Sequence, residues 1–517
     1  MNNLFFFKWM SSIIFCLLLY SCYSCSSTKE NMLPIPEIRD GTAKLSGTIE
    51  NFHSTTREDN QTLDLFVPYP VTAESYHAIT TVNEDGSFSF EVPMQCNYAI
   101  GSIVSEHTSH VFYVSLTSGK ETKVDILYER RTGTWYKIIN QTDSLGLTTT
   151  DQTNITKVEN ELYSYLFSPQ IFTGYAKTPD EFVKRAKISQ NQLLKKLKEN
   201  DVLSEIAKNS VANEMRLLVL NLNLLEYRAR MKIDYANAGK DIVNFNPPEP
   251  GKKYYAFLKD FDLNNPQHLY DGRYYSDVLQ KILLSDTLNI SPIGDIPIDQ
   301  WMEATKSNLS KLVGFNKGLF YDMLAANSYA RQFNNELRPL SDKQKENIQN
   351  YFKDNKKEFA KILLKRNEEI IRLAALKDPL VMNMTPAVSR EQLKNAIISK
   401  YRGKVVVVDF WATWCAPCLA AMEQYRDVKG ELKGKDVVFV YLTNHSSPQK
   451  LWEERIRGIG GEHYYLNDDE WEYIMDTFDF EVIPTYLIFD AKGKLAQKFI
   501  SYPGNDRMQA AIEKLLP

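Results

Sequence analysis

The sequence predicts a multidomain chain with an N-terminal β-sandwich, a mostly helical middle region and a C-terminal α/β domain. Three observations predict it. Residues 41–130 fall into short runs of alternating apolar and polar side chains separated by turn residues, residues 150–377 place apolar side chains at helical spacing, and from Val405 onward strand-like and helix-like stretches alternate. The chain of 517 residues is too long for one ordinary core, and about 150 residues per domain gives about three. Hydrophobic residues at 43% and charged residues at 24% are the proportions of a folded protein. A modest net charge of −4 does not argue for nucleic acid, so no nucleic-acid partner is expected.

Residues 1–21 read as an address. Lys8 precedes the apolar run Ser11 to Tyr20, which is too short for a comfortable membrane span and fits the core of a signal peptide. The run ends in Leu19-Tyr20-Ser21-Cys22, which resembles a bacterial lipobox. That resemblance implies that Cys22 is lipidated, becomes the new N-terminus and anchors the protein to a membrane. Cys25 is a second candidate, with Cys22 rather than an aliphatic residue three positions before it, and an ordinary signal peptide with incidental cysteines is the remaining alternative. Residues 22–40, rich in Ser, Thr, Lys, Glu and Pro, have the composition of a tether.

Between 41 and 130, Lys44 to Ile49 and Leu63 to Val67 alternate, and Asn83-Glu84-Asp85-Gly86 is a turn leading into Ser87 to Val92. His110 to Leu116, the turn Ser118-Gly119-Lys120 and Thr122 to Leu127 complete the pattern of a small β-sandwich. His107 and His110 are three apart, which on a strand puts them on opposite faces and argues against a shared metal. Cys96 reads as a small core hydrophobe.

The helical region, 150–377, shows capping boxes at Thr178-Pro179-Asp180-Glu181 and Ser341-Asp342-Lys343-Gln344. Helical stretches are expected from Phe182 to Leu197, Ser204 to Met231, Gln300 to Phe333 and Lys356 to Leu376, with a break at Pro247 to Gly251. The tyrosine-rich segments at Lys252 to Phe257 and Tyr270 to Tyr275 read either as core or as a partner groove, with core the commoner use of such aromatics.

In the last domain, 380–517, Val405 to Val408 is β-branched and apolar on both faces, as in a central strand covered on either side. It runs into Trp411-Ala412-Thr413-Trp414-Cys415-Ala416-Pro417-Cys418. Cysteines at C-x-x-C spacing opening a helix make a thiol–disulfide exchange site: unpaired N–H groups at the helix start favour a thiolate at Cys415, and Cys418, one turn deeper, can resolve a mixed disulfide. Pro417 suits the first turn, where no N–H is needed. Zinc would need two further Cys or His nearby, and His445 and His463 are isolated, so no metal is expected. Asp409, six residues before Cys415, reads from the residues alone equally well as a polar strand end or as a functional acid. The remaining order is a helix to about Leu432, strand Val437 to Leu442, helix Pro448 to Ile456, strand His463 to Leu466, helix Glu470 to Phe478, strands Thr485 to Phe489 and Leu495 to Ile500, and helix Asp506 to Leu516.

From about Pro386 to Pro517 the chain resembles the thioredoxin superfamily, and Lys404 to Cys415 with the insertion His463 to Phe478 looks most like the envelope reductases called TlpA- or ResA-like. The resemblance implies a thioredoxin-like fold and a thiol:disulfide oxidoreductase that reduces disulfides of other envelope proteins, supplied by a membrane electron donor and using no cofactor. It assigns Asp409 the proton relay to or from Cys418, and Ile483, cis Pro484, Thr485 and Trp414 the substrate groove. The N-terminal sandwich resembles one often found in lipoproteins of this kind. Two positions depart from the family. Glu423 stands where a helix-kinking proline is usual and Ala421 where the envelope group often has glutamate, so a straighter helix is expected and the glutamate's role is not carried over. A peroxide-reducing redoxin, and a binding lipoprotein with the redox domain as adaptor, are the competing functions.

Overall fold

A computed structural model describes residues 31–50, 62–105, 111–129, 135–142, 145–166, 168, 174–242, 245–270 and 272–516. Cys22, Cys25, His107 and His110 lie outside these residues. The chain divides into two compact units: residues to Ser328 with Glu346–Leu363, and Tyr329–Lys345 with Leu364 onward.

The first unit opens with eight strands, β1 (Ile38–Glu50), β2 (Thr62–Tyr69), β3 (Glu74–Thr81), β4 (Ser87–Cys96), β5 (Tyr98–Ser105), β6 (Val111–Thr117), β7 (Glu121–Glu129) and β8 (Trp135–Gln141). They form two four-stranded sheets, ordered β4-β1-β7-β8 and β3-β2-β5-β6. Alternate residues of both, among them Leu45, Leu65, Phe90, Ile103, Val114 and Val124, enter one apolar cluster, which is why the strands read as period-two patterns. Cys96 is buried within this unit.

Helices follow: α1 (Thr149–Leu166), α2 (Pro179–Lys198), α3 (Glu205–Val219), α4 (Tyr227–Asn237), α5 (Gly272–Leu284), α6 (Ile298–Val313), α7 (Leu319–Glu336), α8 (Asp342–Tyr351) and α9 (Lys357–Leu376). Thr178 caps α2 by accepting the Glu181 N–H at 3.2 Å, and Ser341 and Gln344 make the expected reciprocal pair at the start of α8. Two expected helices are broken. Ser204 to Met231 is interrupted by a π-helical turn at Leu220–Leu224, and Gln300 to Phe333 breaks at Gly314, whose φ of +87° suits a residue without a side chain. Tyr254, Tyr270 and Tyr275 are core residues.

Two boundaries read from sequence need correction. The helical region does not separate from the sheets, because Leu162, Leu193 and Val211 of α1, α2 and α3 share a cluster with Tyr98, Ile100 and Tyr113 of β5 and β6. Its last portion, Leu364–Leu376, belongs with the C-terminal unit. The tether ends earlier than residue 40: Leu33 is buried, Gln267 donates to the Leu33 carbonyl and Tyr270 to the Pro34 carbonyl, each at 2.9 Å, and β1 begins at Ile38.

The second unit is built on six strands: the short β9 (Leu380–Met382), then β10 (Val405–Phe410), β11 (Val437–Asn444), β12 (Gly461–Leu466), β13 (Thr485–Phe489) and β14 (Leu495–Ile500), in the order β14-β13-β10-β11-β12-β9. Helices α10 (Arg390–Ser399), α11 (Ala416–Gln424), α12 (Arg426–Glu431), α13 (Gln449–Ile459), α14 (Asp468–Phe478) and α15 (Asn505–Glu513) cover it. All six residues of β10 are buried. Val405 and Val407 join the cluster containing Tyr425, Trp452 and Ile512, whereas Val406, Val408 and Phe410 join Leu393, Ile397 and Ile474 on the opposite face. Burying each valine contributes about 1.5–3 kcal/mol, so the strand is fixed from both sides. Alternation places Asp409 on the same face as Val405 and Val407.

Within this unit α13 meets the end of α7. Arg331 donates through Nε to Glu454 Oε1 at 2.7 Å and through Nη2 to Oε2, and Asn335 donates to the same Oε1 at 2.7 Å. Gly458 permits the approach: a Cβ there would lie 2.6 Å from the Asn335 carbonyl oxygen.

Candidate active site

The loop leaving β10 is held on both sides before it turns into α11. The Trp411 N–H continues the sheet by donating to the Leu442 carbonyl at 3.1 Å, and the Thr413 N–H donates to Ser447 Oγ at 3.0 Å. Trp414, 63% exposed, is steadied by an Nε1–H bond of 3.0 Å to Ser446 Oγ, whereas Trp411 is fully buried. Cys415 then caps the helix, and its sulfur accepts the Cys418 N–H at 3.2 Å. Pro417, in the first turn, has no donor to satisfy. Cys415 and Cys418 are joined as a disulfide with Cα atoms 5.3 Å apart, Cys415 being 3% and Cys418 0% exposed.

The peptide bond Ile483–Pro484 is cis. The Pro484 carbonyl accepts the Ser501 N–H at 2.9 Å, and Thr485 Oγ1 donates to the Val482 carbonyl at 2.7 Å, so this corner of β13 is pinned at both ends. Ile483 packs against the apolar cluster that holds both cysteines. Thr485 is buried and Val482 beside it is exposed.

Asp409 is a carboxyl group buried in the sheet, paired in register with Tyr441 of β11 and Tyr486 of β13. Its Oδ2 accepts the Tyr425 O–H at 2.8 Å, and its Oδ1 makes no hydrogen bond among the described residues. Burial pushes its pKa up from 3.8 to about 7, against the opposing pull of the Tyr425 hydrogen bond and the Lys429 charge. A carboxyl that titrates near neutrality is suited to giving and taking a proton.

Sequence reasoning missed the side chains around this acid. Tyr425 sits where the helix was expected to run straight to Leu432, yet helical geometry is interrupted there (φ −87°, ψ 11°) and α12 resumes one residue later. No proline is involved: the interruption falls at the residue whose side chain reaches inward to Asp409. Glu423, at the position of the missing proline, is an exposed side chain 3.8 Å from Arg426. Tyr441, Tyr486 and Lys429 come from β11, β13 and α12, and an aromatic in a strand or a lysine in a short helix gives no local sign of such a role. Among the described residues no three His, Cys, Asp or Glu side chains gather as a metal site, and no helix is long and apolar enough to cross a membrane.

A disulfide at a helix start, beside a six-stranded sheet with a cis proline, defines a thioredoxin-like domain. A family model described as thioredoxin-like matches residues 403–495. Thiol-disulfide oxidoreductase ResA of Bacillus thuringiensis (strain Al Hakam) is 23% identical over 124 residues, which is 24% of this chain and 70% of that protein. ResA of Geobacillus kaustophilus (strain HTA426) is 26% identical over 120 residues, 23% of this chain and 68% of that protein. The solved thioredoxin domain of a thiol-disulfide oxidoreductase from Bacteroides vulgatus is 19% identical, with a TM-score of 0.21, over 23% of this chain and 84% of its own. Over about 24% of its length, then, the chain is a TlpA/ResA-like thiol:disulfide oxidoreductase.

Proposed function

We propose that this enzyme reduces disulfides in proteins of the cell envelope, working as a lipid-anchored protein whose N-terminal strands form a β-sandwich. The observation that carries the reading is a Cys415–Cys418 pair capping a helix, with a buried carboxyl, Asp409, on the helix-facing side of the adjoining strand. In the dithiol form the Cys415 thiolate attacks a partner disulfide, one partner sulfur leaves, and Cys415 is joined to the other. Cys418 then loses its proton to Asp409 and attacks Cys415. The Cys415–Cys418 bond forms, the bond to the partner breaks, and the partner departs as a thiolate carrying the two electrons. Trp414, Ile483 and Pro484 hold the partner chain during attack, and Thr485, expected from sequence to join them, is fully buried and instead braces this corner through its bond to the Val482 carbonyl. A membrane electron donor returns the disulfide to the dithiol, and Cys22 is the lipidated residue. This location is supported by the lipobox-like end of the leader and by the resemblance to envelope reductases.

Trapping in envelope extracts tests the reading. Cys418→Ala should accumulate mixed disulfides that reductant dissolves, and Cys415→Ala should accumulate far fewer. The parent should be recovered largely as the dithiol. Recovery mainly as the disulfide, with unfolded chains as the trapped partners, would replace reductase by oxidase.

A further inference from the structure

The carboxyl group of Asp409 ends a chain of buried polar groups that runs through Tyr425 and Tyr441 to Lys429. Tyr425 donates to Asp409 Oδ2 at 2.8 Å and is also placed to donate to the Tyr441 oxygen at 3.1 Å, and Lys429 Nζ donates to the Tyr441 oxygen at 3.1 Å. Lys429 Nζ also lies 3.2 Å from Asp378 Oδ2, and the Asp378 side chain is 32% exposed while that of Lys429 is 5% exposed. The Tyr425 hydroxyl has one proton and two acceptors in reach, and an ionised Asp409 takes it. The Tyr441 oxygen then has the ammonium group of Lys429 as its donor, and its own proton is free to turn to the Tyr425 oxygen. Each link is a hydrogen bond to an anion or to a group polarised by one, at a depth where water does not compete.

The other groups facing Asp409 do not supply a rival charge. Tyr486 from β13, opposite Asp409 in register, is buried with its hydroxyl unbonded among the described residues, and Cys415 and Cys418, being joined as a disulfide, carry no charge. Arg426 of α12 is the other cation near Tyr425 and Tyr441. Burial disfavours the Lys429 charge, yet Tyr441 and Asp378 hold its pKa above the ordinary 10.5.

We propose that Lys429, acting through Tyr441 and Tyr425, is the positioning residue that sets how readily Asp409 gives and takes its proton, and that Asp378 ties this buried chain to the surface. Without the ammonium group the Tyr441 oxygen loses its donor, the anion of Asp409 is held less well, and the acid stays protonated to higher pH. The effect on ionisation stands on the geometry alone. Its effect on the rate of disulfide exchange rests on the reading of Asp409 as the proton acceptor for Cys418.

The test separates the two. In the oxidised full-length protein neither Cys415 nor Cys418 titrates, so the Asp409 carboxyl band can be followed by infrared difference spectroscopy from pH 5 to 10, with Asp409→Asn as the blank. Lys429→Met and Tyr441→Phe should each raise the midpoint by about one pH unit, and Lys429→Arg should return it toward the parent value. Asp378→Asn, near the surface and tolerant of change, should lower the midpoint, because it removes an anion; this variant keeps the proposal testable if the buried ones fail to fold. A merely structural network would lower thermal stability and leave the midpoints where they are, and midpoints unmoved in folded Lys429→Met, Tyr441→Phe and Asp378→Asn overturn the proposal. Exchange rates on a disulfide-bonded protein substrate over the same pH range should follow the midpoints. Shifted midpoints with unshifted rates would leave the network standing and remove Asp409 from the reaction.

Discussion

The Cys418 backbone N–H points at the Cys415 sulfur from 3.2 Å. A donor fixed by the helix at that distance favours the anionic form of the sulfur that receives it, and Cys418 receives no such bond among the described residues. In the reduced protein at neutral pH, Cys415 should therefore be alkylated about tenfold or more faster than Cys418. Cys96, whose thiol burial pushes up to about 12, should stay unmodified until denaturant is added. Peptide mapping by mass spectrometry reads all three sites in one experiment, and equal rates at the paired cysteines would remove the assignment of Cys415 as attacker.

Asp409 makes stability depend on pH in the direction opposite to a salt-bridged acid. Its folded pKa, about 7, lies above the ordinary 3.8, so the folded state binds the proton more tightly. The resulting stabilisation is fully present below about pH 3.8 and is lost as pH rises through about 7. Asp409→Asn carries no such dependence. In the oxidised protein the variant should gain on the parent across that window, by up to about 4 kcal/mol at pH 8. Denaturant melts at pH 4 and pH 8 measure it, and a constant difference between the two proteins would show that Asp409 is not a strained acid.

Fractionation checks the anchor. Several acyl chains are needed for stable attachment, and all depend on the modified cysteine. Cys22→Ser should move the protein from the membrane to the soluble fraction, whereas unchanged retention would exclude Cys22 or pass the role to Cys25.

The Arg331–Glu454 pair is mostly shielded, at 20% and 12% side-chain exposure. Burial raises the Glu454 pKa, but the hydrogen bonds from Arg331 and Asn335 outweigh it and hold the group below the ordinary carboxylate value. Arg331→Ala leaves that charge with one partner fewer and should cost about 3 kcal/mol. Thermal or denaturant unfolding of the oxidised protein reports it, and a loss within experimental error would mean that water replaces the guanidinium freely.

Some of this was plain in the residues and some was not. β13 and β14 were placed to the residue because Pro484 precedes the apolar run Tyr486 to Phe489 and the turn at Lys492-Gly493 separates the two strands. β9 was missed: it is three exposed residues whose only ladder is parallel to Gly461–His463, more than seventy residues away, and a strand that short has no period to read. Asp409 was visible as an acid six residues before Cys415. Its tyrosines were not, since Tyr441 and Tyr486 reach it through strand register and Tyr425 through a local break in a helix, and register is a long-range property. The limits of the helical region failed for a related reason, because apolar faces of α1 to α3 had no visible signal that their partners were β5 and β6.

The burial of Cys96 also bears on how the chain reaches its oxidised state. Three cysteines lie in the described residues, and three cysteines admit three different one-bond isomers. Two of those isomers need the Cys96 sulfur, which the strands enclose on folding. Once the N-terminal sheets have closed, oxidation of these thiols has a single outcome, so the Cys415–Cys418 disulfide can be opened and closed again without shuffling to Cys96.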